Sequence, residues 1–157
     1  MNQKLAELEK KISTNNFLLG IVGLGYVGLP LSLAFLRKDI PVLGFDVDQK
    51  KIDTLLAGES YIKHVPADEL TGFLRKGQFN ATADFKKLSE PDVILICVPT
   101  PLTQNREPDM QYIESTARSI AKVLRPGQLI VLESTTYPGT TVEILQPILE
   151  ETGLIGG

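Results

Sequence analysis

The sequence predicts an α/β fold in which a doubly wound parallel sheet carries helices on both faces. Short apolar runs alternate with segments of helical periodicity from residue 17 onward, without an internal repeat. Strands separated by helices imply crossover units and a parallel sheet. Right-handed crossovers leave few topologies other than the doubly wound one. The 157 residues, 43% hydrophobic and 22% charged, have the ordinary make-up of one soluble domain.

The chain begins with a predicted accessory helix within residues 1–16. Leu5, Leu8 and Ile12 recur there at helical spacing, with lysine and glutamate between them. We expect this helix to pack on the domain formed by residues 17–157, or to trail from it, rather than to bind a partner protein.

The remaining elements are predicted in the order that the apolar pattern gives. Strands are expected at 18–22, 41–45, 79–82, 92–98 and 129–132. Helices are expected at 29–37, 49–56, 67–75, 110–124 and 140–150, the fourth being the longest. The fourth strand is nearly all apolar and β-branched, so we expect it to be buried on both faces, and the fifth strand to be buried as well.

The composition excludes several classes of protein. A net charge of −3 gives no basic face for nucleic acid. A single cysteine, Cys97, rules out a disulfide framework and a cysteine-rich zinc site, and we expect no metal. No apolar run approaches the roughly 20 residues of a membrane helix, and residues 1–16 lack the apolar centre of a signal peptide. We therefore expect a soluble cytoplasmic protein without a nucleic-acid or membrane partner.

A glycine-rich loop predicts a dinucleotide site. The GxGxxG sequence at 23–28 directly follows the first predicted strand and opens the next helix, as a pyrophosphate site requires. Gly23 is expected to permit the tight turn, Gly25 to let the backbone approach the pyrophosphate, and Gly28 to let the helix pack closely on the strand. Backbone N–H groups and the positive end of the helix then face the phosphates.

An aspartate at the end of the second strand favours NAD over NADP. Asp46 follows the glycine loop by roughly the 20 residues at which a carboxylate accepts hydrogen bonds from the adenosine ribose. It would also repel a 2′-phosphate. Asp48 competes for this role but is better placed to cap the next helix. Lys50 and Lys51 argue the other way, because a nearby cation would tolerate the extra phosphate.

Two further strand ends are candidate binding elements, since ligands of open parallel sheets lie beyond the carboxyl ends of the strands. One is the Val-Pro-Thr-Pro segment that contains Thr100, and the other is the hydroxyl-rich segment 133–141. We assign Thr140 and Thr141 to helix capping. On physical grounds, Thr100 and Thr135 are as consistent with turn chemistry as with ligand binding.

Four motifs together resemble the UDP-glucose/GDP-mannose dehydrogenase family. They are Gly-Leu-Gly-Tyr-Val-Gly-Leu-Pro at 23–30, Ile-Cys-Val-Pro-Thr-Pro-Leu at 96–102, Glu-Pro-Asp-Met-Gln-Tyr at 107–112 and Glu-Ser-Thr-Thr-Tyr-Pro-Gly-Thr-Thr at 133–141. Within the family they most resemble the UDP-N-acetylglucosamine 6-dehydrogenases, with the UDP-N-acetylmannosamine dehydrogenases as the neighbouring branch. The resemblance covers the chain from about residue 17 to its end, and four motifs in order are far more specific than one glycine loop.

The resemblance implies a Rossmann-type NAD-binding domain and a four-electron oxidation. The C6 alcohol of a UDP-sugar would become a carboxylate while two NAD are reduced, in the service of polysaccharide biosynthesis. By position, the NAD contacts of the family fall on Tyr26, Val27, Asp46, Lys51, Thr100 and Thr135. Lys51 stands where many members have arginine. Thr135 matches a hydroxyl that helps to order water near the reacting carbon, and it is the one catalytic assignment made here.

The resemblance also implies that the catalytic machinery is incomplete in these 157 residues. In the family, two groups of features come later in the chain. One is the nucleophilic cysteine with its lysine and aspartate partners. The other is the central domain that makes the dimer, together with the UDP-sugar-binding domain. Cys97 cannot substitute, because it lies inside a predicted buried strand. We therefore expect an inactive cofactor domain of a larger enzyme that is a homodimer or higher oligomer.

Three alternatives stay open at this point. In the first, the substrate is UDP-N-acetylmannosamine or UDP-glucose instead of UDP-N-acetylglucosamine. In the second, the protein is another kind of Rossmann dehydrogenase. In the third, it is a stand-alone NAD-binding module without catalysis.

Two titratable groups are further candidates for a functional role. His64 is interpreted as a solvated loop residue rather than a general base. Glu133 either touches the nicotinamide region or is satisfied by local N–H groups.

Overall fold

Five parallel strands form one sheet in the computed structural model, which describes residues 3–156. The strands are β1 (Leu19–Val22), β2 (Val42–Phe45), β3 (Phe79–Thr82), β4 (Val93–Ile96) and β5 (Leu129–Leu132). Their order across the sheet is β3-β2-β1-β4-β5. This arrangement confirms the predicted doubly wound parallel fold, in which the order reverses between β1 and β4.

Within residues 3–156, six α-helices flank the sheet. They are α1 (Gln3–Ser13), α2 (Gly28–Leu36), α3 (Gln49–Leu56), α4 (Ala67–Arg75), α5 (Gln111–Ala121) and α6 (Gln146–Glu150). Residues 1, 2 and 157 of the predicted segments lie outside the described residues. In the described part of the chain, no helix has the length and apolar character needed to cross a bilayer.

The predicted bounds hold best where a capping side chain or a turn marks the end of an element. The helices at 49–56 and 67–75 and the strand at 79–82 have the observed ends. The helix predicted at 110–124 is shorter, because it ends in a turn at residues 122 and 123 and the chain is irregular at 124 and 125 before Pro126. With 11 residues it equals α1 and is not longer than it, contrary to the prediction.

The helix predicted at 140–150 begins with a π-helical turn. This turn spans Thr141–Leu145 and continues directly into α6. Pro147 has no N–H, so the regular α-helical hydrogen bond to the carbonyl of residue 143 cannot form, which favours the wider turn before it. A short 3₁₀ helix at Phe85–Ser89 was not predicted, although Asp84 caps it by accepting from the Lys86 N–H at 3.1 Å.

Each face of the sheet supports its own apolar core. In β4, Val93 and Leu95 belong to the cluster under α1, α2, α3 and α4, whereas Ile94 and Ile96 belong to the cluster under α5 and the carboxyl-terminal helix. All four residues of β4 are buried. The prediction of a central strand buried on both faces is therefore confirmed for this strand.

The prediction that β5 is buried is wrong. Leu129 is 39% exposed and the other three residues of the strand are only partly buried. The reason is position: β5 is the edge strand, and within residues 3–156 no further strand pairs with it. The sequence of a strand shows how hydrophobic its side chains are, but the burial of those side chains depends on which elements pack beside the strand.

Asp92 fixes the amino-terminal helix to the sheet. Its carboxylate accepts from the Lys11 ammonium at 2.7 Å, from the Arg125 guanidinium at 3.1 Å and from the Leu18 N–H at 3.2 Å. Burial alone would raise the pKa of Asp92, but the hydrogen bonds from Lys11, Leu18 and Arg125 outweigh burial and hold the pKa below its usual value. The predicted accessory helix is thus a packed part of the fold, with Leu8 buried in the core.

Candidate functional site

A cavity of about 570 Å³ opens at the carboxyl ends of β1, β2, β4 and β5. It lies where ligands of doubly wound sheets bind, beside the point at which the strand order reverses. The glycine loop, the β2 end with Asp46, the β4 end with Thr100 and the β5 end with Thr135 all contribute to its wall. The structure therefore brings together the sequence segments that were singled out separately.

The three loop glycines have three different surroundings. Gly23 has a φ of 94°, and a Cβ there would lie 2.5 Å from the Cys97 carbonyl oxygen, so only glycine fits this turn. A Cβ on Gly28 would lie 1.8 Å from the Gly23 carbonyl oxygen, which explains the close packing of α2 on the loop. No atom lies within 4 Å of a Cβ built on Gly25. Gly25 lines the cavity, whereas Gly28 is buried behind its wall.

The loop presents free backbone donors to the cavity. Among residues 3–156, no acceptor is found for the N–H groups of Gly25, Tyr26 and Val27. These donors precede α2, whose amino-terminal end adds a partial positive charge. Tyr26 and Val27 are exposed side chains on the cavity rim. An anionic group such as a pyrophosphate fits this arrangement, because it would supply the missing acceptors.

Asp46 lies in the cavity wall just beyond the end of β2. It is 6% exposed, and its two carboxylate oxygens accept from the Leu24 N–H at 2.9 Å and the Asp48 N–H at 3.0 Å. The Lys51 ammonium lies 3.5 Å from the same oxygen that Leu24 contacts. Since each carboxylate oxygen can accept two hydrogen bonds, the side chain retains capacity for a ribose hydroxyl.

Asp48 has the role that was predicted for it. Its carboxylate accepts from the Lys50 N–H at 3.0 Å and caps α3. The predicted capping by Asp48 is therefore confirmed, although Asp48 also lines the cavity beside Asp46.

Two threonines join the ends of β4 and β5. The Thr100 hydroxyl donates to the Thr135 carbonyl at 2.7 Å, and both residues line the cavity. A second link runs from the Ser134 hydroxyl to the Val98 carbonyl at 2.7 Å. In the described part of the chain the Thr135 hydroxyl itself has no protein partner. It therefore remains free to contact a ligand.

The predicted capping by Thr140 and Thr141 is wrong. The Thr140 hydroxyl donates to the carbonyl of Tyr137 at 2.8 Å, and no side-chain capping bond is made at this helix end. The hydroxyl thus closes the preceding turn, because it points back toward a carbonyl and not forward to the free N–H groups of the helix.

Part of the cavity wall was not predicted from the sequence. Tyr112, Ser115 and Thr116 of α5 line it, together with Val47 beyond β2. Tyr112 belongs to one of the quoted motifs, and positions three and four residues later share its helix face, so the spacing held a usable signal. Val47 offered no signal, since its 83% exposure follows only from the path of the chain after β2.

The remaining titratable candidates are weak. Cys97 is buried, and burial, followed by the negative charge of Glu133, raises the pKa of its thiol to about 11. Glu133 is exposed and lines the cavity. His64 is exposed in its loop and is not part of the cavity wall. Residues 3–156 contain no group of three or more histidine, cysteine, aspartate or glutamate side chains that could hold a metal ion.

Comparison with known proteins identifies the family of this site. The sequence model of the UDP-glucose/GDP-mannose dehydrogenase family, NAD binding domain, matches residues 18–154. This chain belongs to the UDP-glucose/GDP-mannose dehydrogenase family. NAD is therefore the cofactor of the domain, and the glycine loop with its free N–H groups fits it. Membership excludes the alternative of an unrelated Rossmann dehydrogenase.

Individual members of the family share the fold and over a third of the sequence. The UDP-N-acetyl-D-mannosamine dehydrogenase of Escherichia coli K12 is 39% identical over 132 residues, which cover 84% of this chain and 31% of that protein. The UDP-N-acetyl-D-glucosamine 6-dehydrogenase of Pseudomonas aeruginosa is 38% identical over 133 residues, covering 85% and 31%.

A solved structure shows the same relationship. The ternary complex of the GDP-mannose dehydrogenase from Pseudomonas aeruginosa superposes with a TM-score of 0.83 at 34% identity, covering 87% of this chain and 33% of that one. The chain thus spans about a third of the length of the relatives it matches.

Proposed function

We propose that this domain binds NAD for the oxidation of the C6 hydroxyl of a UDP-N-acetylhexosamine to a carboxylate, with UDP-N-acetylglucosamine as the substrate. Two NAD are consumed per sugar, because the alcohol loses four electrons on its way to the acid. The observation that carries the proposal is the cavity at the sheet switch point, where the Gly25, Tyr26 and Val27 N–H groups stand without an acceptor.

The residues of this chain bind and orient the cofactor. The glycine-loop N–H groups would hold the pyrophosphate, and Asp46 with Lys51 would hold the adenosine ribose at the β2 end. Thr100 and Thr135, at the ends of β4 and β5, would flank the nicotinamide, and NAD would supply the hydride acceptor of the oxidation. The free hydroxyl of Thr135 would be available to hydrogen-bond a water near the reacting carbon.

The oxidation needs groups beyond those described in this domain. The single cysteine, Cys97, is buried with a raised pKa, so it supplies no ready thiolate for trapping an aldehyde. The chain covers 31% of the length of each of two relatives that are named as dehydrogenases. We therefore assign it the cofactor half of the reaction and leave the sugar half to a separate part of the enzyme.

Domain exchange tests this assignment. Residues 18–154 replace the corresponding domain of the Pseudomonas aeruginosa UDP-N-acetyl-D-glucosamine 6-dehydrogenase, and NADH formation and NAD binding are measured on the folded chimera. We expect NAD binding and sugar-dependent NADH formation, both weakened when Asp46→Asn is introduced. The matched control is Asp68→Asn, an exposed aspartate of α4 outside the cavity. A folded chimera that binds no NAD would refute the assignment.

The mannosamine epimer is the second candidate substrate. It is supported by the E. coli relative, whose identity of 39% is close to the 38% of the glucosamine enzyme. We expect an enzyme that carries this domain to oxidise UDP-N-acetylglucosamine faster than UDP-N-acetylmannosamine or UDP-glucose. A reversed order of rates would replace the proposed substrate by the faster one.

A further inference from the structure

Tyr61 belongs to a closed set of contacts on the adenosine side of the cavity. It lies in the loop between α3 and α4, and its hydroxyl donates to the carbonyl of Leu24 inside the glycine loop. Its ring lies under the Lys51 ammonium, 5.9 Å from ring centroid to nitrogen. Lys51 in turn lies 3.5 Å from Asp46, and Asp46 accepts from the Leu24 N–H at 2.9 Å. The four residues therefore hold one another in place.

Tyr61 does not itself line the cavity, whereas the two charged residues of this set, Asp46 and Lys51, do. It is partly buried, and burial, followed by the negative charges of Asp46 and Asp48, raises the pKa of its phenol. The hydroxyl thus stays protonated and remains a donor to the glycine loop. A residue in this position acts on the cofactor only through the residues that it holds.

Lys51 places a cation beside the carboxylate at the end of β2. In dinucleotide sites a carboxylate at the end of the second strand accepts from the ribose 2′-hydroxyl, while a nearby cation accommodates a 2′-phosphate. Here the cation is held by the carboxylate on one side and by the aromatic face on the other. An ammonium held in this way is less able to move toward an added phosphate.

We propose that Tyr61 is a positioning residue that holds the Lys51 ammonium against Asp46 and thereby sets the preference for NAD over NADP. The inference rests on the proposed cofactor role of Asp46 and Lys51, and it adds a residue that does not line the cavity. The ring restrains Lys51, and the hydroxyl fixes the glycine loop, so the two parts of the side chain have separable effects.

Two substitutions separate these effects. Tyr61→Leu removes the ring and frees Lys51, so the ratio of the NADP to the NAD dissociation constant should fall by about two- to five-fold, the range of an exposed cation–π contact. Tyr61→Phe keeps the ring and removes only the hydrogen bond to Leu24. It should weaken both cofactors together and leave their ratio as in the wild type.

The ratio is a readout that simple loosening of the fold would not move, because a less stable fold weakens both cofactors alike. Thermal unfolding of each variant reports that loss separately. In the double variant Tyr61→Leu with Lys51→Met the change in ratio should disappear, since the freed cation is gone. A ratio unchanged by Tyr61→Leu, or changed equally by Tyr61→Phe, would overturn the inference. Failure of the wild-type chain to bind NAD would instead refute the proposed function.

Discussion

Replacing Gly25 by alanine separates cofactor binding from folding. A Cβ at this position has no heavy atom within 4 Å, and Gly25 is not among the glycines with positive φ. The fold therefore accepts the methyl group without strain. Because alanine restricts the unfolded chain, the variant should be as stable as the wild type or more stable by up to about 1 kcal/mol.

The same methyl group lies beside the N–H groups that a pyrophosphate must approach. Gly25 lines the cavity, and its N–H and that of Tyr26 have no acceptor within residues 3–156. Two hydrogen bonds to a charged phosphate, at about 1.5–3 kcal/mol each, amount to about 3–6 kcal/mol. NAD binding should therefore weaken by at least about a hundredfold.

Calorimetric titration with NAD and thermal unfolding measure the two effects. Gly72→Ala is the matched control, because its Cβ also meets open space but Gly72 lies in α4 away from the cavity. Gly28→Ala is the opposite case, since its Cβ would lie 1.8 Å from the Gly23 carbonyl oxygen and must disturb the loop. If Gly25→Ala binds NAD like the wild type, the Gly25 and Tyr26 N–H groups do not hold the pyrophosphate. If its unfolding temperature is as low as that of Gly28→Ala, the fold does not accept a methyl group at position 25.

Three further outcomes are expected. Asp92→Asn should lower the free energy of unfolding by about 1–3 kcal/mol at neutral pH. Because folding lowers the pKa of Asp92, the ionised carboxylate stabilises the fold above the unfolded pKa of about 3.9, and this stabilisation is lost as the pH falls through the folded pKa. The unfolding midpoints of the variant and the wild type should therefore converge only in acid. With a pKa of about 11, the Cys97 thiol is ionised in about one molecule in a thousand at about pH 8, so a thiol reagent should label it slowly until denaturant is added. Fast labelling of the folded chain would contradict the burial of Cys97. Thr100→Val removes the hydrogen bond to the Thr135 carbonyl at about 0.5–1.5 kcal/mol and should weaken NAD by roughly two- to tenfold in the same titration, whereas unchanged affinity would make that link irrelevant to the cofactor.

Local signals in the sequence were enough for the elements and for much of the site. Asp48 marks the start of α3 because its carboxylate caps a free N–H, a relation that depends only on neighbouring residues. The glycine spacing likewise predicts the turn at Gly23, because its positive φ and close backbone neighbours are fixed by the strand-to-helix connection. The alternation of strands and helices then gives the topology.

What the sequence did not give depends on contacts between distant segments. The burial of β5 was misjudged because an edge position is a property of the sheet and not of Leu129–Leu132. Thr140 was misassigned because a threonine hydroxyl next to a turn can donate to a preceding carbonyl instead of accepting from a helix N–H, and here it donates to Tyr137. Tyr61 was not noticed at all, since its link to Leu24 joins residues 37 positions apart. No local pattern reports such a contact.

Parallel titrations with NAD and NADP test whether residues 18–154 form an NAD site in which Asp46 accepts a hydrogen bond from the adenosine ribose. The wild-type chain should bind NAD saturably and NADP more weakly, because a 2′-phosphate would lie against the Asp46 carboxylate. Asp46→Asn should weaken NAD and narrow the difference, while Asp68→Asn should change neither. Equal binding of the two cofactors by the wild type, or an Asp46→Asn variant that still binds NAD as tightly and as selectively, would contradict the account.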